Sequence, residues 1–464
     1  MTSIASPSVD LLRETMAGSV LQPSDAGYDE ARNVWNGAID RRPAIIARCT
    51  GPNDVAAALA HAQAAGLQVA VRGGGHGFWG AAVPEGGLMI DLSPLDTVTV
   101  DPVARRARCG GGAQLAQLDA ATQEHGLAVT AGTVSHTGVG GLTLGGGFGW
   151  LTPLYGLTID NLESAEVVLA DGRCVRASAT EHPDLFWALR GGGGNFGVVT
   201  EFEFRLHEVG PIVHLAVLFA EQDRAAHAIR TARDEFRKLP AGFSPAITCV
   251  NAPPAPFVPA QYHSAPGVAL IVVGFGTAEE HAAAVAPIRE ALSPLFDAVM
   301  PLPYVALQQM LDEALAWGVH SYVKGLYLHD IPDDAVDILA EQAGRRESPM
   351  SELLIFPFGG AYAEVGEDDT AWGGRRDMKY ALAIEGVAAD GETLTGERRW
   401  VRDTWDAMLP FAAGKGIYVN LMTELDERMV LATYGQAKYE RLAVIKAAYD
   451  PDNVFSVNAN IKPA

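Results

Sequence analysis

LQVAVRGGGHGFWG, residues 67–80, decides the fold. Its first half reads as a strand, and the glycines that follow have no helix opening on them. That separates the stretch from the strand–glycine–helix fingerprint of the Rossmann dinucleotide fold. Two further glycine clusters follow, GVGGLTLGGGFG at 138–149 and GGGGNFG at 191–197. One cluster alone serves a turn or bulge as readily as a ligand. Three need a common explanation, and a dinucleotide supplies it: glycine lets backbone N–H groups turn toward a pyrophosphate and lets the chain approach a flat ring without Cβ obstruction.

Outward from these clusters, helix and strand alternate in short units. Residues 1 to about 40 form a lead-in, with a turn at Pro23, Ser24 and Asp25 and a short helix from Tyr28. DVAAALAHAQAAG from Asp54 predicts a helix capped by Asn53 and stopped at Gly66. Strands are expected at 88–92, 98–100 and 196–206, and helices at 114–125 and 183–190. After His207 the glycine density falls, a Pro-rich stretch runs from Pro253 to Pro266, and VALIVVGF precedes a helix at 278–292. A domain boundary is placed near 208. The tail returns to a compact pattern, YERLAVIKAAYDPDNVF, a helix closed by a DP turn.

The 464 residues, 48% of them hydrophobic, suffice for two cores. A net charge of −22 argues against nucleic acid and anionic membrane as partners. The N-terminus has no basic start followed by an apolar stretch, and the longest apolar run, Val268–Val273, is far too short to span a bilayer. A cytoplasmic location is expected. Cys49, Cys109, Cys174 and Cys249 are scattered, and neither a disulfide nor a metal site is expected from them. A homodimer is only the general prior for oligomeric state.

His76 sits inside the first glycine cluster. A satisfied core histidine is the bland reading of any such residue, but its place in the loop fits a covalent tether to a flavin better. RGGGH after a strand, AGTVSHTGVGGLTLGGGFGWLTPLYGLTIDNL, EVVLADGR, PDLFWALRGGGGNFGVVTEFEF and the closing YERLAVIKAAYDPDNVFSVNANI together resemble the berberine-bridge-enzyme-like branch of the vanillyl-alcohol-oxidase flavoproteins. The resemblance covers nearly the whole chain in order. It implies an α+β protein with a two-part PCMH-type FAD-binding domain over 1–208, a substrate domain with a helix-backed antiparallel sheet over 209–417, and a segment over 418–464 that returns to the first domain.

The resemblance also implies site residues. His76 carries FAD at the 8α position, with Arg72, Gly73, Gly74, Gly75 and Gly77 around the pyrophosphate. A second, cysteinyl bond common in the family is ruled out by Val134, which stands at that position. Thr137, Gly138, Gly140, Gly141 and Leu142 pass over the reactive part of the flavin, and the small Thr137 favours access of dioxygen. Thr133, His136, Gly147, Asp160, Asn161, Gly197, Val199, Asn458 and Asn460 complete the expected cofactor contacts. Where many members read YxNY with the second tyrosine as base, this chain reads Tyr418, Val419, Asn420 and Leu421, so that base is missing. Tyr418 and Asn420 still belong to the expected site, and Glu352, on the alternating strand SELLIFPFGG with Leu354 and Phe356, is the candidate carboxylate. Trp317, Tyr322, Tyr362 and Tyr418 suggest an aromatic-lined pocket.

The resemblance therefore implies an FAD-dependent oxidase that passes hydride from a small organic or secondary-metabolite substrate to flavin and electrons to O2. Two alternatives stay open at this point: a flavin-N5-oxide-type oxygenase tailoring a polyketide-like substrate, and a catalytically silent flavin or deazaflavin binder.

Overall fold

The N-terminal 210 residues build three sheets, and the rest of the chain builds one large one. A computed structural model describes residues 8–414, 416–424 and 427–464, so the first seven residues of the expected lead-in lie outside the described residues. In the first sheet, the short strand Val20–Leu21 runs antiparallel beside Ile45–Arg48, while Ile45–Arg48, Leu88–Asp91 and Val69–Arg72 run parallel in that spatial order. Parallel neighbours need a crossover, and the helix Pro52–Ala65 provides it. It starts at Pro52 rather than after Asn53, with Gly51 ahead of it and no side-chain cap. Proline suits that first turn because its missing N–H would have no helical partner. The acidic residue of the turn, Asp54, instead accepts hydrogen bonds from Ala17 N, Gly18 N, Thr50 N and the Thr50 hydroxyl, pinning the lead-in to the helix. Gly66 stops the helix in the left-handed region, as expected.

The second sheet is antiparallel throughout, in the order Val98–Asp101, Arg106–Gly110, Val198–Arg205, Leu162–Val168, Cys174–Ser178. A two-stranded ribbon joins Leu127–Ala128 to His207–Glu208. The fourth sheet has seven antiparallel strands, ordered Phe296–Pro303, Ile212–Glu221, Pro266–Gly274, Phe243–Asn251, Glu352–Pro357, Tyr380–Ala388, His320–Leu328. The architecture is α+β.

Strand alternation gives this large sheet two faces. Leu218, Leu270, Ile247, Leu353 and Ile384 pack under the helices Ala225–Phe236, Ala278–Leu292, Asp333–Ala343 and Gly391–Met408. The alternate residues, including Phe356 and Ala381, face the other way. Two of the suggested pocket aromatics are consumed by packing. Tyr322 is in the helix-side core and accepts from Arg402, while Tyr362 is fully buried and donates to Arg375 O.

The C-terminal helix Glu427–Tyr449 brings Lys446 to the third glycine cluster. Its ammonium, fully buried, donates to Asp450 Oδ2 at 2.6 Å, Asn195 O at 2.7 Å and Phe455 O at 3.0 Å. Asn195 in turn donates to Gly192 O and Ala459 O and accepts from Ile461 N. Three filled hydrogen-bond positions explain why a charge can sit there, since removing one partner of such a pair costs about 3–5 kcal/mol. Among the described residues no helix is long and apolar enough to cross a membrane.

Candidate active site

One cavity touches all three glycine clusters and the inner face of the seven-stranded sheet. Its cradle side is backbone. Gly74 and Gly138 cross so closely that a Cβ on Gly74 would stand 2.3 Å from Gly138 Cα, and one on Gly138 would stand 2.3 Å from Gly74 N. Gly140 lies against Gly111 O in the same way, at 2.9 Å from a Cβ. Gly193, Gly194 and Gly197 of the third cluster complete the wall.

No lysine or arginine lines the cavity among the described residues. An anion held here would be met by inward-turned backbone N–H groups, which is how glycine-rich nests bind phosphate. Asn458 lines the same end; its Nδ2 donates to Gly194 O and Phe455 O, and its Oδ1 is buried with no partner. A backbone cradle with an orphaned buried acceptor fits the pyrophosphate and sugar of a dinucleotide cofactor.

His76 lines the cavity with its ring stacked on Trp35, centroids 4.6 Å apart and planes 16° from parallel. Trp35 is held by its own indole N–H to Leu315 O at 2.6 Å. His76 Nε2 is 2.8 Å from His136 Nδ1. Burial, assisted by His136, pushes the His76 imidazole down to about 3, so it is neutral at ordinary pH.

The other wall comes from two adjacent strands. Glu352, Leu354 and Phe356 all face the cavity, as the alternation of SELLIF predicts, together with Ala381, Ala383 and Glu385 from the neighbouring strand. Glu352 and Glu385 are directly opposite in the register. Glu352 accepts from the Thr248 hydroxyl at 2.9 Å and Glu385 from the Ser321 hydroxyl at 3.0 Å. Burial raises both carboxyls. For Glu385, 7% exposed, burial and then the facing Glu352 push it to about 8. Like charges directly across a strand pair repel, so near neutral pH Glu385 keeps a proton that the unfolded chain would release.

The stability linkage has a definite sign. A carboxyl whose folded-state pKa is raised gives stability that is fully present below the unfolded value near 4.3 and is lost as pH rises through about 8. The melting temperature is expected to fall between these limits. Glu385→Gln should remove part of that fall, and an unchanged slope in the variant would show that Glu385 does not hold the proton.

Tyr418 closes the site. Its phenol oxygen accepts from Gly147 N at 2.9 Å and Asn420 Nδ2 at 2.8 Å. Both acceptor positions are therefore filled, and no described residue takes its own proton. Burial, only partly offset by these two donors, pushes the phenol up to about 12. Tyr418 is thus a hydrogen-bond donor toward a ligand rather than a base. Asn420 also donates to Leu142 O, and a Cβ on Gly145 would stand 2.3 Å from Asn420 Oδ1, so the YVN segment seats the helix Val139–Gly145.

Of the residues expected from sequence, Gly73, Gly74, Gly75, Gly77, Thr133, Thr137, Gly138, Gly140, Gly141, Leu142, Gly197 and Val199 line this cavity beside those already described, and Val134 lines it too. Arg72 stands behind the loop, paired with buried Asp91 at 3.0 Å. His136 and Gly147 do not line it but touch residues that do, His76 and Tyr418, and three further expected contacts are elsewhere. Asp160 is held away from the cavity by a bidentate pair with Arg376, at 2.8 and 2.7 Å. Asn161 bonds Tyr155 O, Leu157 O and His207. Asn460 is not at the cavity wall, although its Oδ1 is buried and unpartnered. Trp317, 40% exposed, leans on His136 outside the cavity.

Sequence reading missed Glu385, Phe148 and Trp35. Glu385 had a signal: it is the one charged residue in YALAIEGVA, 380–388. Phe148, packed against Phe356 and Tyr418, had none beyond its place in a glycine cluster.

Two family models match the chain, an FAD binding domain over residues 43–178 and a berberine and berberine-like segment over 417–462. (R)-6-hydroxynicotine oxidase of Paenarthrobacter nicotinovorans is 31% identical over 97% of both chains. The crystal structure of 6-hydroxy-D-nicotine oxidase from Arthrobacter nicotinovorans superposes with a TM-score of 0.86 at 28% identity, over 99% of this chain and all of that one. Glucooligosaccharide oxidase from Acremonium strictum, whose FAD is described as 6-S-cysteinyl and 8α-N1-histidyl, superposes with a TM-score of 0.83 at 25% identity, over 99% of this chain and all of that one. With glycine cradle, family models and full-length relatives in agreement, the chain belongs to the berberine-bridge-enzyme-like family of FAD-linked oxidoreductases.

Proposed function

We propose that the protein is an oxidase that removes a hydride from a carbon bearing an amine or alcohol in a small organic substrate, with FAD attached through His76 alone. The observation that carries this reading is the single cavity in which the glycine cradle faces Glu352 and Glu385. The bound flavin would take the hydride and pass its electrons to dioxygen, giving hydrogen peroxide. The chain supplies position and proton handling.

Glu352 and Glu385, the two carboxyls on the cavity wall, receive the substrate's N–H or O–H proton in this reading. Either group accepts that proton in its carboxylate form, and Thr248 and Ser321 hold the two groups in place. This replaces the base that Leu421 cannot provide. Tyr418 offers its O–H to a substrate heteroatom, and Phe148, Leu354 and Phe356 supply apolar surface that excludes water. Thr137 leaves room at the cradle for dioxygen. Neutral His76, with Val134 in place of a cysteine, supports one covalent bond rather than two: of the two bonds named for the glucooligosaccharide oxidase, only the histidyl one has a candidate residue here. The names of the relatives, a 6-hydroxynicotine oxidase and a glucooligosaccharide oxidase, bracket the substrate class.

The test is anaerobic mixing of the yellow protein with a panel of cyclic amines and sugar alcohols. A substrate is expected to bleach the flavin's visible absorbance, and air should restore it with one hydrogen peroxide per cycle. Bleaching that air reverses without peroxide, or no bleaching across both classes, would remove the oxidase reading.

A further inference from the structure

We propose that Asn36 is a positioning residue for the reaction: it ties the loop that carries His76 to Ser321, and through Ser321 it sets where the Glu385 carboxyl stands in the cavity. This rests on the reading of Glu352 and Glu385 as the proton-accepting pair. Asn36 does not line the cavity itself. It is 1% exposed and acts from behind the wall.

The two sides of the cavity come from parts of the chain far apart in sequence, and residues 35–37 join them. On the cradle side, Trp35 stacks on His76 and its backbone N–H donates to Gly75 O at 3.0 Å. On the sheet side, Gly318 N donates to Trp35 O at 3.0 Å and Gly37 N to Val319 O at 2.8 Å. Gly37 must lack a side chain here, because a Cβ would stand 2.2 Å from Gly318 O. Val319 directly precedes the edge strand His320–Leu328, the neighbour of the strand that bears Glu385.

Asn36 is the centre of this join. Its Nδ2 donates to Phe78 O at 2.7 Å and Ser321 O at 2.9 Å, and its Oδ1 accepts from Ser321 N and Ala38 N, both at 3.1 Å. All four hydrogen-bond positions of the amide are filled, so it cannot be turned end for end without setting N–H groups against each other. Ser321 is held at both its N–H and its C=O, as a neighbouring strand would hold it. Its hydroxyl then donates to Glu385 Oε1 at 3.0 Å from the diagonal position of the strand pair, where Ser321 faces Val387 and Val323 faces Glu385. Glu385 makes no other hydrogen bond among the described residues. One buried line of contacts therefore runs from Phe78 through Asn36 and Ser321 to Glu385.

The experiment uses the full-length flavin-loaded protein as wild type, Asn36→Ala, Asn36→Asp, Ser321→Ala and Glu385→Gln. The infrared C=O band that Glu385→Gln removes near neutral pH reports the protonated Glu385 carboxyl without any substrate. It is expected to move to higher frequency in Asn36→Ala and in Ser321→Ala alike, as a carbonyl does when it loses a donor. With a substrate from the amine and alcohol panel, Asn36→Ala should slow flavin bleaching at saturation by about 10- to 100-fold, the scale of a misplacement of roughly 1 Å, with the half-saturating concentration little changed. In a Glu385→Gln background the same change should add no further loss, because effects that pass through one contact do not add. Asn36→Asp keeps the size but turns an oxygen toward two carbonyls, so it should behave as Asn36→Ala does and replaces it if the alanine variant does not fold. A band that stays in place in the folded Asn36 variants overturns the proposal, as do losses that multiply in the double variant or failure of both Asn36 variants to fold. No bleaching by any substrate would strike the oxidase reading and leave the band to decide the role of Asn36. No band lost in Glu385→Gln would strike the reading of Glu385 as a proton-holding group, and this proposal with it.

Discussion

Gly138→Ala is expected to give a folded protein that carries no flavin. The added Cβ would stand 2.3 Å from Gly74 N and 2.6 Å from Gly74 Cα, both backbone atoms of the loop that bears His76. Atoms of a flexible side chain could move aside, but these cannot without spreading two glycine clusters where they form the cradle. Gly74→Ala meets the same obstacle from the other side. The core under the seven-stranded sheet, around Leu270, contains no residue of either crossing loop. Far-ultraviolet circular dichroism should therefore match wild type while the visible spectrum is empty. A variant holding flavin at wild-type stoichiometry would show that the cradle binds nothing.

Glu352→Gln is expected to lower kcat/KM by about 10²–10⁴-fold, the range for a lost general base, while leaving the protein as stable as wild type or more so. Glutamine keeps the size of the side chain and can still accept from Thr248, but it cannot take a proton. It also removes one of two carboxyls that face each other across the strand pair. The opposite signs matter: a residue needed only for packing would lose activity and stability together. Steady-state kinetics with a substrate from the amine and alcohol panel, beside a thermal melt, separates the two cases.

Much of this was legible in the sequence because the decisive features are local. The glycine clusters, the strand leading into His76, and the alternation that sends Glu352, Leu354 and Phe356 to one face all depend on residues a few positions apart. The misplacements have the opposite character. Asp160 looks like a cofactor contact until its partner Arg376 appears 216 residues away in sequence. Nothing near Tyr322 or Tyr362 tells which face of a sheet or which loop core will absorb the ring. Glu385 becomes meaningful only through register, because its strand pairs with that of Glu352. The change from Asn53 to Pro52 at the start of a helix is smaller and follows from the backbone geometry of proline.

The most direct measurement is the intact mass of the purified wild-type protein after acid denaturation, with the modified peptide mapped and His76→Ala as control. One FAD of added mass, located on the peptide that contains His76 and absent from the variant, is the predicted result. Flavin released entirely into the soluble fraction, or a protein that purifies without flavin, would contradict a covalent flavin at this site.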